Sequence, residues 1–233
     1  MFPERFCQWT EDTGMENQLA AGCVIMASGL SRRFGSNKLL AEFCGQPMLC
    51  RAFAATDTQV LAARIVVTRS AEVKALCEER GVPVLLHSLP ERNDTVRLGL
   101  TALLEQVPGL FGCMFLPGDQ PLLCRETVEA MIGISGWDHE TRLERQKETE
   151  REIFRLGHRF KNDPVPLVGS PVLFERGYFS ELCALPEGKG GNVLLKKYPK
   201  HVHTVYIADR NELADADTPE ALAKLEALAR RNG

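Results

Sequence analysis

Short apolar runs, each followed by a loop and an amphipathic stretch, recur along the chain from Gly22 onward. Continuous apolar runs of this kind are typical of strands that a parallel sheet buries on both faces. We predict such strands at residues 23–27, 64–68, 82–86 and 113–116, and helices at 71–80, from about 94 to 106, and at 125–134. Alternating strands and helices predict an α/β fold with right-handed crossovers and a mostly parallel sheet covered on both sides.

Two stretches interrupt this alternation. Residues 137–160 are densely charged, with acids and bases alternating from Glu140 to Glu152, and we interpret them as a solvated helix or a mobile insertion rather than a partner-binding surface. Residues 163–174 contain several prolines, which favour edge strands and loops over a central strand.

The chain ends in a predicted helix at 218–231. Thr218 can cap this helix, Pro219 suits its first turn and Glu220 complements its dipole.

Length and composition place the protein among ordinary globular chains. A chain of 233 residues with 44% hydrophobic and 25% charged residues is expected to form one large domain, here 20–233, after a flexible extension at 1–19. The net charge of −3 argues against nucleic acid as a partner. No apolar stretch reaches the length of a membrane span, and the opening residues do not resemble a secretory signal. We therefore expect a cytoplasmic protein whose eight cysteines are free thiols.

The loop after the first predicted strand carries the clearest chemistry. It contains the small residues Ala27, Ser28 and Gly29, followed by further small and basic residues up to Lys38. Small residues allow the backbone to approach anionic oxygens, and basic side chains suit a polyphosphate. The glycine spacing is neither that of a Walker A loop nor that of a dinucleotide fingerprint.

An aspartate, Asp119, follows the fourth predicted strand in the segment Leu116-Pro-Gly-Asp-Gln-Pro121. Ligands of open α/β sheets bind at the carboxyl ends of the strands, where this residue and the basic loop must both lie. Mg²⁺ prefers one or two carboxylates together with water and phosphate oxygens, so Asp119 is a candidate ligand. The alternative is that Asp119 caps the turn or the following helix.

The pattern small-small-Gly-x-Ser-x-Arg-x-Gly-x-x-Lys resembles the phosphate loop of MobA-like nucleotidyltransferases. The positions that match are Gly29, Ser31, Arg33, Gly35 and Lys38, whereas Ser28 stands where that family more often has alanine or glycine. The resemblance implies a three-layer α/β/α Rossmann-like fold in which this loop wraps the nucleotide phosphates, with Arg33 and Lys38 in contact with them.

Further segments strengthen the resemblance. Gly-Asp-Gln-Pro at 118–121 is similar to the family's metal motif, and Asp-Ala-Asp-Thr-Pro-Glu at 215–220 is similar to a motif of its molybdenum cofactor cytidylyltransferase branch. The resemblance implies Mg²⁺ held by Asp119 and Asp215. Asp217 is the alternative second ligand, but we favour a role for it at the start of the last helix, where a carboxylate complements the N-terminal amides.

Three more residues are candidates for contacts with the substrates. Thr95 stands where the family has a serine, although it could equally cap its own helix. Ser170 lies in a Gly-x-Pro turn on the expected acceptor side, and Lys189 lies in a glycine-rich loop that could meet a phosphate or simply face solvent.

The resemblance implies an Mg²⁺-dependent transfer of CMP from CTP to molybdenum-bearing molybdopterin, with release of pyrophosphate and delivery of the product to a molybdenum hydroxylase. Two alternatives stay open: another nucleotidyltransferase that uses GTP or a sugar phosphate, and a non-catalytic protein that binds the molybdenum cofactor.

Overall fold

The computed structural model describes residues 20–31, 33–144, 151–161 and 165–232. The predicted extension at 1–19 and Arg32 of the basic loop lie outside the described residues.

The strands and helices alternate along most of the chain. The strands are β1 (Ala21–Ala27), β2 (Glu42–Phe43), β3 (Gln46–Pro47), β4 (Leu61–Thr68), β5 (Val84–Leu86), β6 (Gly112–Pro117), β7 (Ile153–His158), β8 (Leu167–Glu175) and β9 (Val202–Tyr206). The α-helices are α1 (Leu49–Ala55), α2 (Ala71–Glu79), α3 (Arg92–Gln106), α4 (Arg125–Glu144), α5 (Phe179–Cys183), α6 (Asn192–Lys197) and α7 (Pro219–Asn232). None of the described helices is long and apolar enough to cross a membrane.

The main sheet of the described residues has seven strands in the order β5-β4-β1-β6-β8-β7-β9, and β2 pairs with β3 in a separate hairpin. Strand β8 is antiparallel to both neighbours, and the other six strands run in one direction. From β1 the chain moves outward to β4 and β5 and then returns to the other side of β1 as β6. This reversal creates a crevice at the carboxyl ends of β1 and β6, which is where open α/β sheets bind their ligands.

Each face of the sheet has its own apolar core, because successive strand residues point to opposite faces. In β1, Cys23 and Ile25 face one core, which includes residues of α1, α2, α4 and α7. Val24 faces the other core, which includes residues of α3, α5 and α6. The predicted three-layer α/β/α architecture is therefore confirmed, as are the strands and helices predicted from the alternating pattern. Their ends differ by a few residues, except that α4 is ten residues longer than predicted.

The expectation of edge strands and loops at 163–174 is wrong, because β8 lies between β6 and β7. The register shifts from Arg155 opposite Val172 to Leu156 opposite Gly169, which leaves Ser170 and Pro171 in a bulge. A proline at a bulge removes no hydrogen bond from the ladder, so the central position is tolerated.

The charged segment divides into a helix and a strand. Helix α4 runs ten residues beyond the predicted end at 134, and β7 begins at Ile153, while residues 145–150 lie outside the described part. The neighbouring charges obscured β7, whose residues are mostly buried because strands flank it on both sides.

Two helical glycines differ in their surroundings and provide a test of this packing. A Cβ atom at Gly99 would lie 2.6 Å from Cγ1 of Val24 and 3.0 Å from Cγ2 of Val67, whereas nothing lies within 4 Å of a Cβ at Gly133. We expect Gly99→Ala to lower the free energy of unfolding by about 1–3 kcal/mol, because stiff valine side chains must move. Gly133→Ala should raise it by up to about 1 kcal/mol through helix propensity. Urea denaturation measures both, and equal responses would contradict the packing of α3 on β1 and β4.

Candidate functional site

The loop from Ser28 to Lys38 leaves the carboxyl end of β1 and folds back on itself. The backbone is left-handed at Ser31 and Gly35, with φ of 47° and 78°. The N–H of Phe34 donates to the carbonyl of Ser31 at 2.9 Å, and the N–H of Lys38 donates to Oγ of Ser31 at 3.2 Å. A non-glycine residue with positive φ is uncommon and has to be held by such contacts. The fold-back brings Lys38 to the crevice.

Ser28 ties this loop to the ends of β4 and β5. Its hydroxyl donates to the carbonyl of Val67 at 3.1 Å and lies 2.9 Å from Nε2 of His87. Arg69 donates from Nε to the carbonyl of Ser28 at 2.9 Å. Burial and the charge of Arg69 lower the pKa of His87, so the ring is neutral at neutral pH. The loop is thereby anchored at its first residue.

A pocket of about 230 Å³ opens beside the loop. It is lined by Ala27, Ser28, Gly29, Leu30, Ser31, Asn37, Arg69, Ser70 and Glu72. A pocket of this volume lies below the usual range for whole ligands and suits a part of a nucleotide. The space above Gly29 is open, because no atom lies within 4 Å of a Cβ at that position.

Lys38 joins the loop to a group of carboxylates. Its Nζ donates a hydrogen bond to Oδ2 of Asp119, at the end of β6, and another of 2.8 Å to Oδ1 of Asp217, just before α7. Its side chain is 12% exposed. Burial lowers the pKa of Lys38, but the two hydrogen bonds and the two negative charges outweigh burial, so its pKa is raised. The ammonium is therefore charged.

Asp217 is the more fully neutralised carboxylate of its segment. Besides Lys38, it pairs with Nη2 of Arg33 at 3.2 Å. The hydrogen bond from Lys38 is the main reason that the pKa of Asp217 is lowered. The helix start is instead capped by Thr218, whose Oγ1 accepts from the N–H of Ala221 at 3.2 Å. The expectation that Asp217 serves this helix start is corrected, since its carboxylate makes ion pairs.

Asp215 is in the opposite electrostatic situation. The residue is open to solvent at its surface, yet surrounding atoms desolvate its carboxyl group and raise its pKa. The negative charges of Asp119 and Asp217 raise it further, whereas a hydrogen bond from Gln120 and the charge of Lys38 act in the other direction. Asp215 thus lies close to other carboxylates with too little positive charge around it.

These residues fit a divalent cation that also binds phosphate. No group of three or more His, Cys, Asp or Glu side chains forms a ready metal cage within the described residues. Mg²⁺ needs only one or two carboxylates, because water and substrate phosphates complete its coordination. The uncompensated charge of Asp215 beside Asp119 suits such an ion, and Asp217 is already paired.

The remaining predicted residues surround the same end of the sheet at different depths. Thr95 lies within the first turns of α3 and is 2% exposed, so its side chain is closed off from solvent. Ser170 lies in the bulge of β8. Lys189 is exposed in a loop whose Gly188 N–H donates to Oδ1 of Asn93 at the start of α3, at 3.1 Å.

Sequence analysis missed Arg69, His87 and Gln120. Arg69 and His87 directly follow the second and third predicted strands, so their position at carboxyl ends was an available signal. Gln120 is 3% exposed and adjoins Asp119, but nothing in its residue type indicated a bond to Asp215, which is 95 residues away along the chain.

An open α/β sheet with a basic small-residue loop after β1 and carboxylates at the switch point defines a Rossmann-like fold of the nucleotidyltransferase class. The chain belongs to the MobA-like NTP transferase domain family, which it matches over residues 23–203.

Known structures agree on the fold. Rv0371c of Mycobacterium tuberculosis H37Rv superposes with a TM-score of 0.72 and 22% identity, covering 90% of this chain and 99% of that one. CMP:2-keto-3-deoxy-manno-octonic acid synthetase complexed with CTP superposes with a TM-score of 0.69 and 17% identity, covering 92% and 100%.

Curated relatives match only in part. A probable molybdenum cofactor guanylyltransferase of Pyrococcus horikoshii is 28% identical over 108 residues, which are 46% of this chain and 53% of the relative. A 3-deoxy-manno-octulosonate cytidylyltransferase of Chlorobium phaeovibrioides is 31% identical over 98 residues, which are 41% of this chain and 38% of the relative. The matches thus span about half of these relatives or less.

The electrostatics of Asp215 give a pH-dependent expectation. Because its pKa is raised in the folded state, its ionised form destabilises the protein above that pKa, and the penalty disappears below the unfolded value. Asp215→Asn should therefore raise the melting temperature at pH 7 by roughly 1–2 °C, a small effect because an accessible carboxyl group is screened. The gain should vanish below about pH 4. Thermal unfolding at both pH values measures this, and a loss of stability at pH 7 would contradict the charge crowding.

Proposed function

We propose that the protein is a nucleotidyltransferase that transfers a nucleotidyl group from an NTP to a phosphate and releases pyrophosphate. One observation carries this proposal. Lys38, at the end of the loop that turns through the left-handed residues Ser31 and Gly35, forms ion pairs with Asp119 and Asp217 in the crevice at the carboxyl ends of β1 and β6. Positively charged side chains that can bind phosphate and carboxylates that can bind a divalent cation therefore lie together in this crevice.

The chain's cations have a defined part in this reaction. The loop residues Ala27, Ser28, Gly29, Ser31 and Gly35 receive the triphosphate, because small residues leave backbone amides accessible to anionic oxygens. Lys38 and Arg33 exchange their carboxylate partners for the β- and γ-phosphates and offset the charge that accumulates on the leaving pyrophosphate.

Asp119 and Asp215 hold the Mg²⁺ ion in this proposal, and their crowded charge supports the assignment. A bound Mg²⁺ would supply neutralisation of charge on the reacting phosphate. The chain itself supplies positioning: an oxygen of the acceptor phosphate attacks the α-phosphorus in line, a new P–O bond forms and the bond to the β-phosphate oxygen breaks. The electron pair of that bond leaves with pyrophosphate, so a protein nucleophile is not required.

We propose CTP as the donor and molybdenum-bearing molybdopterin as the acceptor, which gives molybdopterin cytosine dinucleotide for a molybdenum hydroxylase. The Asp-Ala-Asp-Thr-Pro-Glu segment supports CTP, and the partial likeness to cytidylyltransferases agrees with it. The likeness to a probable guanylyltransferase keeps GTP as the second candidate.

Further proposed contacts complete the substrate site. Thr95 acts on the nucleotide side, and Ser170 and Lys189 act on the acceptor side. The loop of Lys189 touches the start of α3, where Thr95 also lies, so the two sides adjoin there. We also propose a cytoplasmic location and a single domain over 20–233. The free thiols of the cysteines in the described ranges agree with a reducing compartment.

Calorimetric titration with CTP, GTP, ATP and UTP, each with and without Mg²⁺, tests the proposal. We expect the strongest binding for CTP with Mg²⁺, because the segment at 215–220 supports CTP and a bound ion would offset the charge of the triphosphate beside Asp119 and Asp215. If GTP binds best, the proposed nucleotidyl transfer stands, but the product would be a guanine rather than a cytosine dinucleotide. Binding of no nucleotide by folded protein would contradict the proposal and favour a cofactor-binding role.

A pair of variants sharpens this test. Asp119→Ala should remove the Mg²⁺ dependence of nucleotide binding and abolish pyrophosphate release while the protein stays folded. The matched control is Asp57→Ala, which removes an exposed carboxylate that pairs with Arg64 at 2.9 Å. Turnover in folded Asp119→Ala comparable to that of the control would exclude Asp119 as a metal ligand.

A further inference from the structure

Two backbone segments that carry the acidic residues are fastened together. The N–H of Ala216 donates to the carbonyl of Asp119 at 2.9 Å. The carboxylate of Glu212, which is 9% exposed, accepts from the N–H of Cys124 at 3.2 Å and from its Sγ at 3.2 Å. These bonds hold the chain before α7 against the turn before α4. They fix the backbones of Asp119 and Asp215, but not the direction of the Asp215 carboxylate.

Gln120 supplies that direction. Its side chain is almost completely buried, and its amide, acting as a hydrogen-bond donor, lowers the pKa of the Asp215 carboxyl group. The backbone bond between Ala216 and Asp119 joins the chain directly beside both residues. The opposite amide orientation would turn Oε1 toward a carboxylate that cannot donate, so the donating orientation is the one that the chemistry allows. The NH₂ group of the buried Gln120 amide is thus assigned to Asp215.

The amide oxygen of Gln120 has no hydrogen-bond partner among the described residues. Oε1 of Gln120 is buried and accepts no hydrogen bond from the part of the chain that the structure describes. A buried acceptor without a donor costs stability, and an apolar side chain of similar length would avoid that cost. Packing alone therefore does not explain a glutamine at this position.

We propose that Gln120 is a positioning residue that orients the Asp215 carboxylate beside Asp119, so that the two carboxylates bind one divalent cation. This inference rests on the proposed function, in which Asp119 and Asp215 hold the metal. Gln120 itself touches neither the ion nor the substrate, and it acts through Asp215.

Manganese binding, followed by the electron paramagnetic resonance signal of free Mn²⁺ with and without CTP, tests the inference. Gln120→Met keeps the length of the side chain and removes the donor, and Gln120→Ala removes the side chain beyond Cβ. We expect both to weaken Mn²⁺ binding roughly tenfold to a hundredfold, as loss of a group that orients a metal ligand does. The melting temperature of Gln120→Met should equal or exceed that of the wild type, because the unpaired buried acceptor is gone.

Ser135→Ala is the matched control, since it removes a buried hydroxyl that donates within its own helix to the carbonyl of Ile132 at 2.9 Å. It should lower stability slightly and leave Mn²⁺ binding unchanged. A merely structural role of Gln120 would instead move stability and leave the Mn²⁺ affinity in place.

The outcomes separate this inference from the proposed function. Wild-type Mn²⁺ affinity in folded Gln120→Met or Gln120→Ala overturns the role of Gln120 alone. Absence of Mn²⁺ binding by the wild type overturns the metal assignment together with it. If both variants fail to fold, the inference is also overturned, because the amide would then be required for folding rather than for orientation.

Discussion

The crowding of negative charge at the carboxyl ends of β1 and β6 is the constraint on which the rest of the site depends. Asp119, Asp215 and Asp217 contribute three negative charges, and Lys38 and Arg33 contribute two positive ones, which leaves a net charge of −1. The remaining charge falls on Asp215, whose pKa is raised in consequence of burial and of its carboxylate neighbours. Such an arrangement is stable only because hydrogen bonds and backbone links hold each member in place.

The same cations that stabilise this cluster are those that the proposed reaction needs at the phosphates. Lys38 is held by Asp119 and Asp217, and Arg33 is held by Asp217. In our proposal, an incoming triphosphate competes with the carboxylates for these side chains and leaves Asp119 and Asp215 with more uncompensated charge. Binding of the nucleotide and binding of a divalent cation are thereby expected to favour each other.

Much of the fold and of the candidate site could be predicted because the signals are local. Buried parallel strands are short apolar runs, and the loop from Ser28 to Lys38 and the segment around Asp119 follow two of them directly. The central place of β8 could not be predicted, because the bulge that accommodates Pro171 depends on the register with β7. The ion pairs of Asp217 and the proposed role of Gln120 were equally hidden, since each involves residues far apart in the sequence.

The most direct test of the account is a crystal structure of the protein with CTP and Mn²⁺, in which anomalous scattering locates the metal. We expect an anomalous peak within coordination distance of carboxylate oxygens of both Asp119 and Asp215. The triphosphate should lie along the loop from Ser28 to Lys38, with Nζ of Lys38 moved from Asp119 to a phosphate oxygen. A metal bound elsewhere, or a triphosphate that avoids this loop while Lys38 keeps its carboxylate partners, would contradict the account.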